Sequence, residues 1–267
     1  MLEVVDVGVA HITKREKMLR YYGRVLEPGQ ANDQDAYMID EQYNCFAVAD
    51  GVGSSINSDI AAKVVCEAYR ATVIDHSNGT VSMSKSQRED ASDTLHRLHS
   101  AAAGAHATTT FTGFTIHANN MASYLHIGDS QLLLLRDDDV MQCTSEHVAP
   151  NGFQLLNYLG TQPEWKAMGY ARHPLELTGE SNAFSTTKLE AEWGFIRLKD
   201  GDRLVLMTDG VRGSGQNDRL EDRYLREYMQ RRLGATAFAQ LVMRKSRKED
   251  DSTLVVVDLG LSLNTVK

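Results

Sequence analysis

Between Thr108 and Arg136 three strand-like runs follow one another with only a few residues between them. TTTFTGFTIH is β-branched and aromatic, the HANN tetrad marks a turn, and MASYLHIGDS and QLLLLRDDD follow. Connections this short cannot make parallel crossovers, so the region predicts an antiparallel meander. The same signature recurs elsewhere. The apolar run 43–49 stops at Asp50-Gly51, Arg203–Thr208 stops at Asp209-Gly210, and Thr253–Leu259 is preceded by Glu249-Asp250-Asp251.

Helical periodicity alternates with these strands. From Ser58 to Thr72, residues Ile60, Ala61, Val64, Val65 and Ala68 form one apolar stripe, with Asn57 or Ser58 as cap and Asp59 in the first turn. Further helices are expected over Leu220–Leu233 and Ala235–Lys245. Residues 75–93 read as an exposed loop or loose helix end, and 150–192 as a long irregular insertion. With no repeat and no linker, residues 1–267 form one domain of mixed strands and helices, a length that supports a sizeable core.

The 28 basic and 36 acidic residues leave a net charge of −8, which argues against a nucleic-acid coat or an anionic-membrane binder. No apolar run approaches the roughly 18 residues of a membrane span, and the start lacks the basic region of a secretory signal. Cys45, Cys66 and Cys143 are odd in number and make no CxxC pair, so neither a disulfide framework nor a cysteine zinc site is expected. A reducing cytoplasm fits all three.

The aspartates carry the chemistry. Asp35, Asp50, Asp129, Asp209 and Asp250 each lie beside a strand-like run, and three of them adjoin a glycine. Taken singly, each reads as a solvated turn residue. Together, strand ends can bring carboxylates to one rim of a sheet, where they select hard cations such as Mg²⁺ or Mn²⁺. His96, His99 and His106 lack the HExxH pattern and read as a solvated helix face, His126 as a strand residue, and Asp137-Asp138-Asp139 as a hairpin tip.

These segments, in order, resemble the motifs of the metal-dependent protein phosphatases of the protein phosphatase 2C family, in their compact bacterial form. Asn32-Asp33-Gln34-Asp35-Ala36 is similar to the opening N-x-D-A motif, and Phe46–Gly53 to F-A-V-A-D-G-x-G. Thr108-Thr109-Thr110 stands at G-T-T, and Ile127-Gly128-Asp129-Ser130 at V-G-D-S. Gly201–Leu204 with Met207–Val211 stands at G-D-x-L…S-D-G-L, and Asp250-Asp251-Ser252-Thr253 at the closing D-N-x-T.

The resemblance implies an α+β fold, a four-layer αββα sandwich of two antiparallel sheets flanked by helices. It implies two Mn²⁺ or Mg²⁺ ions: Asp50 bridging, the Gly51 carbonyl on one, Asp209 and Asp250 completing the other, and Asp35 acting nearby. Asp129 would hold a third, weaker ion. Two ions roughly 4 Å apart lower the pKa of a bridging water and clamp a phosphate. Asp35, Asp50 and Asp209 are thus the expected catalytic groups, phosphoserine and phosphothreonine proteins the substrates, and a Ser/Thr kinase the opposing enzyme in the cytoplasm.

The chain departs from the family at Gln30, where the resemblance implies an arginine gripping the substrate phosphate. A neutral amide cannot replace that charge-assisted contact, so the alternative is a catalytically weak relative that binds phosphoproteins and signals by occupancy. Arg20, Arg24, Lys14 and Arg15, in the basic stretch Lys14–Arg24, are the candidate substitutes. Asp33, Ser54-Ser55 and Asp251 replace the usual Asn, Gly-Gly and Asn, none of them an expected ligand. Val52 replaces a proposed histidine proton donor of eukaryotic members. The insertion 150–192 stands at the family's mobile flap, with Leu159-Gly160 at its base and Trp165, Tyr170 and Arg172 available to a protein substrate.

Overall fold

The fold is taken from a computed structural model that describes residues 2–22, 33–53, 55, 57–78, 87–148, 155–160, 191–213, 220–246 and 249–261. The elements run β1 (Leu2–Ile12), α1 (Lys14–Tyr22), β2 (Asp35–Asp40), β3 (Cys45–Asp50), α2 (Ser58–Ser77) and α3 (Gln87–Gly104). Then come β4 (Thr108–Thr109), β5 (Phe111–His117), β6 (Met121–Ile127), β7 (Gln131–Arg136), β8 (Asp139–Gln142) and β9 (Leu159–Gly160). The chain continues through β10 (Glu192–Arg197), β11 (Arg203–Met207), α4 (Asp209–Arg212), α5 (Asp222–Gln230), α6 (Ala235–Met243) and β12 (Ser252–Leu261).

Two five-stranded antiparallel sheets result, ordered β1-β12-β11-β7-β8 and β10-β6-β5-β3-β2, beside a two-stranded ladder of β4 and β9. Strand alternation sorts the apolar residues into layers. Phe46, Val48, Phe114 and Ile116 of one sheet meet Leu132, Leu134, Leu204, Leu206, Val255 and Val257 of the other. On the outer face of the second sheet, Ala47, Ala49 and Phe111 pack under Ala61, Val65, Tyr69 and Leu98 of α2 and α3. On the outer face of the first, Leu133, Leu135, Val205 and Val256 pack under Leu225, Phe238 and Val242 of α5 and α6. The order of layers is α, β, β, α, as expected.

The structure corrects several local readings. The meander is split: β5 and β6 pair with each other, but β7 crosses to the opposite sheet and pairs with β11 and β8. Period-2 patterning cannot say which sheet a strand joins. Of residues 75–93, read as an exposed loop or loose helix end, 75–77 extend α2 and 87–93 open α3, so the helix-end reading holds for them. Leu95 and Leu98 on that helix join the buried apolar cluster beside α2, and this tertiary packing overrides its polar start. The buried stripe of α2 is Ala61, Ala62, Val65, Cys66 and Tyr69, whereas Ile60 is 44% exposed. Asn57 takes the cap position in the left-handed region (φ 62°) without a side-chain capping bond. Asp137 and Asp138, both at positive φ, form the expected hairpin tip between β7 and β8.

The basic stretch after β1 does form a helix. Thr13 Oγ1 accepts the Glu16 N–H and Glu16 returns a carboxylate to the Thr13 N–H, both at 3.2 Å, a reciprocal cap. Arg15 and Arg20 are exposed on α1, as expected for a solvated face. Cys45 and Cys66 are buried and Cys143 half-buried, all as free thiols. Burial pushes the Cys45 thiol up to about 12. Among the described residues no helix is long and apolar enough to cross a membrane.

Phe46 and Phe114, ladder partners of β3 and β5 on the inner face of one sheet, have ring centroids 5.2 Å apart and are both fully buried. Phe114→Ala is expected to cost about 3–5 kcal/mol in urea unfolding, because the sheets cannot close over the cavity. A loss below about 1 kcal/mol would show that this layer does not hold the sandwich together.

Candidate metal centre

The antiparallel pairing carries all five aspartates to one end of the sandwich. Asp35 opens β2, Asp50 closes β3, and the two are direct ladder partners. Asp129 lies in the short crossing from β6 to β7, Asp209 opens α4 directly after β11 and Thr208, and Asp250 precedes β12. Oxygens of Asp50, Asp129 and Asp209 lie within 4.8 Å of one another. Asp35 and Asp250 stand outside that trio, yet both act electrostatically on Asp50.

Backbone geometry makes the approach possible. Gly128 sits at φ +113°, and a Cβ there would lie 2.5 Å from Thr110 Cβ. A Cβ on Gly210 would fall 1.6 Å from the Asp251 carbonyl oxygen, so α4 starts pressed against the chain entering β12. Gly51, whose N–H donates to the Gln34 carbonyl at 3.0 Å, has Ser58 backbone in the same position. Asp50 is fixed on both sides: its N–H donates to Thr110 Oγ1, and its carbonyl accepts from Thr109 Oγ1 and the Thr110 N–H.

The electrostatics show what the gathering costs. Burial pushes Asp50 well above the ordinary carboxylate range, and Asp35, Asp209, Asp129 and Asp250 add repulsion. Asp35 is pushed up to about 7, again chiefly by burial, against the hydroxyls of Thr253 and Thr208, which hold it down. Both hydroxyls donate to the same oxygen, Asp35 Oδ2, at 2.7 and 2.8 Å. Asp35 Oδ1 is buried and has no hydrogen-bond partner. An orphaned buried oxygen beside three converging carboxylates suits a divalent cation, and an all-oxygen donor set suits Mg²⁺ or Mn²⁺. The residues present therefore fit the expected ions.

A second group, His126, His147 and Glu192, also brings possible donor atoms within 4.8 Å of one another. Several of its donor atoms are already engaged in hydrogen bonds. His126 Nε2 donates to the Ser145 carbonyl and Nδ1 meets Thr112 Oγ1, both at 2.8 Å. His147 Nδ1 accepts the Gly128 N–H, and Glu192 accepts the Ser145 N–H. Burial holds His126 down at about 4, in neutral form. The group braces the turn that carries Asp129. His99, read as a solvated face, accepts the Gly160 N–H at 3.2 Å.

Sequence reasoning passed over the residues that hold the aspartates. Thr208 and Thr253 lie inside recognised motifs but read only as strand residues. Asp251, which read as a mild replacement, accepts the N–H groups of Gln34 (3.0 Å) and Lys14 (2.5 Å), joining the two sheets beside Asp35. Its carboxyl is raised, first by burial. Gln30, Arg24, Trp165, Tyr170 and Arg172 lie outside the described residues, as does most of the flap.

Comparison with known proteins gives a consistent result. Residues 23–247 match the family model described as protein phosphatase 2C. Protein phosphatase PhpP of Streptococcus pneumoniae is 29% identical over 168 residues, which is 61% of this chain and 65% of that protein. The aligned part thus spans just under two thirds of that relative. The Mycobacterium tuberculosis serine/threonine phosphatase PstP/Ppp superposes with a TM-score of 0.62 at 20% identity, over 96% of this chain and all of that one. A PstP catalytic domain in complex with two manganese ions gives 0.60 at 20% identity, over 98% of this chain and all of that one. At such identities the likeness bears on the fold.

Two outcomes are expected. Metal-free Asp35 keeps its proton up to about pH 7, whereas an unfolded aspartate loses it near 4. A cation must displace that proton below pH 7 and need not above it. The Tm gain from saturating Mn²⁺ should therefore grow as pH rises from 5 through 7, and the raised Asp50 carboxyl acts in the same direction. A gain independent of pH in differential scanning fluorimetry would contradict this. Gly210→Ala should weaken Mn²⁺ binding at least about tenfold, because its Cβ meets backbone, whereas Gly104→Ala, with nothing within 4 Å, should leave binding intact.

Proposed function

Because the chain belongs to the protein phosphatase 2C family, we propose that it is a Mn²⁺- or Mg²⁺-dependent serine/threonine protein phosphatase that hydrolyses phosphoserine and phosphothreonine through a metal-activated water. The observation that carries this reading is the convergence of Asp50, Asp129 and Asp209 oxygens within 4.8 Å at the rim where both sheets end.

In this reading Asp50, the Gly51 carbonyl, Asp209 and Asp250 would hold two divalent ions. Asp129 would hold a third, and Asp35 would offer its unpartnered Oδ1 nearby. Bound there, divalent ions supply a water of lowered pKa and positive charge for the phosphate. The protein's part is positioning. Short, backbone-tied strand ends keep the carboxylates from spreading apart, and burial keeps their field unscreened. Val52 offers no proton to the leaving alkoxide, which takes it from water.

The reading further makes residues 1–267 one catalytic unit with a flap over 150–192. Its substrates are phosphorylated proteins and its counterpart is a Ser/Thr kinase in the cytoplasm, with no part for nucleic acid or membrane. Gln30 favours a second reading, a catalytically weak relative that binds phosphoproteins as a signalling module.

Hydrolysis of a phosphothreonine peptide with Mn²⁺, with Mg²⁺ and with chelator tests the two. Metal-dependent turnover, lowered at least roughly 100-fold in Asp209→Asn, is expected. A folded, Mn²⁺-binding protein without turnover would instead support the second reading. Gln30→Arg should tighten inhibition by inorganic phosphate about tenfold or more, as a charge-assisted contact would. Unchanged inhibition would remove Gln30 from the phosphate site.

A further inference from the structure

Counting protons around Asp35 leads to a residue outside the metal centre. Thr208 Oγ1 has one proton, which it gives to Asp35 Oδ2, and it accepts the Thr253 N–H at 3.0 Å. Thr253 Oγ1 also has one proton, and it too goes to Asp35 Oδ2, so the proton that metal-free Asp35 keeps below about pH 7 lies on the unpartnered Oδ1. The contact of Thr253 Oγ1 with His11 Nδ1 at 2.8 Å must then run the other way, with Nδ1–H donating. The other ring nitrogen, Nε2, lies 3.2 Å from Asp33 Oδ2, which can only accept. Both ring nitrogens therefore carry protons.

Strand pairing sets this chain of contacts. His11 and Thr253 are ladder partners between β1 and β12, so the ring cannot slip away from the hydroxyl. The Tyr37 ring lies 6.3 Å from the imidazole on the other side. Asp33, Asp35 and Asp251 are the charged groups acting on His11. They hold it above the usual histidine value, chiefly through the Asp33 hydrogen bond, against burial.

We propose that His11 is a positioning residue for the metal centre. Its doubly protonated ring, braced by Asp33, fixes the Thr253 hydroxyl as a donor to Asp35 Oδ2, so that Asp35 presents only Oδ1 to a divalent cation. The inference rests on the reading of Asp35 as part of that centre. It gives two residues on the rim, His11 and Asp33, a part in metal binding although neither is a ligand. If Nδ1 lacked its proton, the Thr253 proton would turn to the imidazole and Asp35 Oδ2 would lose one of its two donors. The carboxylate could then rotate. Partners of this outer kind are typically worth 10–100-fold in metal affinity.

The test measures Mn²⁺ affinity by titration calorimetry on the full chain, for the wild type, Asp209→Asn, His11→Phe and Asp33→Asn. His11→Phe keeps a ring beside Tyr37 but donates nothing. Asp33→Asn changes a side chain that is 41% exposed and disturbs no core. His11→Phe should weaken Mn²⁺ at least about tenfold and Asp33→Asn several-fold, with circular dichroism and Tm of the metal-free proteins unchanged. In ¹⁵N-resolved NMR of the metal-free wild type at neutral pH, the His11 ring should show two protonated nitrogens, and Asp33→Asn should lose that signature. A wild type that fails to bind Mn²⁺, or an Asp209→Asn that binds it equally, would overturn the metal centre itself. If those controls hold and both His11→Phe and Asp33→Asn bind like the wild type, the part given to His11 is wrong and the metal centre stands.

Discussion

Like charges at the end of a low-dielectric sandwich repel, and the rest of this end of the molecule is arranged to hold them together. Asp50 cannot retreat because its own N–H and carbonyl are bonded to Thr109 and Thr110. Asp35 cannot turn because two hydroxyls from the opposite sheet hold one of its oxygens. Asp209 cannot slide because Gly210 is lodged against the Asp251 carbonyl. Burial first, and this repulsion after it, raise the titration of Asp35 and Asp50. A cation would relieve it without any group having to move, which is what preorganisation means here. Since these aspartates come from both sheets, their spacing is set by the apolar layer between them.

The opposite end of the sandwich treats charge differently. Arg136, at the end of β7, donates through Nε and Nη2 to both oxygens of Asp202 just before β11, at 2.7 and 2.6 Å, and Nη2 also meets the Arg197 carbonyl of the other sheet. Asp202 is 1% exposed and accepts the Lys199 N–H as well. A buried carboxylate is tolerable in this setting because a planar guanidinium and a backbone donor satisfy it. Of the acidic groups just outside β11, one at each end, Asp202 is neutralised within the fold, while Asp209 faces other carboxylates. That asymmetry separates the end that maintains the sandwich from the end that can bind a cation.

Much of this could be read from the sequence because it rests on local rules. Strand-ending aspartates announce themselves through Asp-Gly and Gly-Asp, and the apolar runs around them alternate faithfully between layers. The rest depends on contacts far apart in sequence. No periodicity distinguishes a β7 that continues its sheet from one that crosses to the other, although Asp129 owes its place to that crossing. Ile60 reads as core and lies outside it, because the packing angle of α2 puts Ala62, Cys66 and Tyr69 against the sheet instead. His11 carries no local signal, and Asp251 reads only as a mild replacement of the usual Asn. Their significance comes from a ladder between residues 242 positions apart and from a loop that returns to Gln34.

The same logic bears on the long segment between β8 and β10. Before it, the His147 N–H donates to the Gly128 carbonyl at 2.7 Å and Gly128 returns its N–H to the His147 ring. Within it, Leu159 and Gly160 pair with Thr109 and Thr108, beside the threonines that hold Asp50. Gly160 sits at φ +99° with no room for a Cβ against the Ala107 carbonyl, so this docking is a close fit of backbone on backbone. After it, Glu192 accepts the Ser145 N–H and pairs with His126. The segment is thus anchored at three points to the loops that carry Asp50 and Asp129. Leu159 is fully buried in the apolar cluster under α2, so the described part of the segment is tied to the core and to the charged rim together.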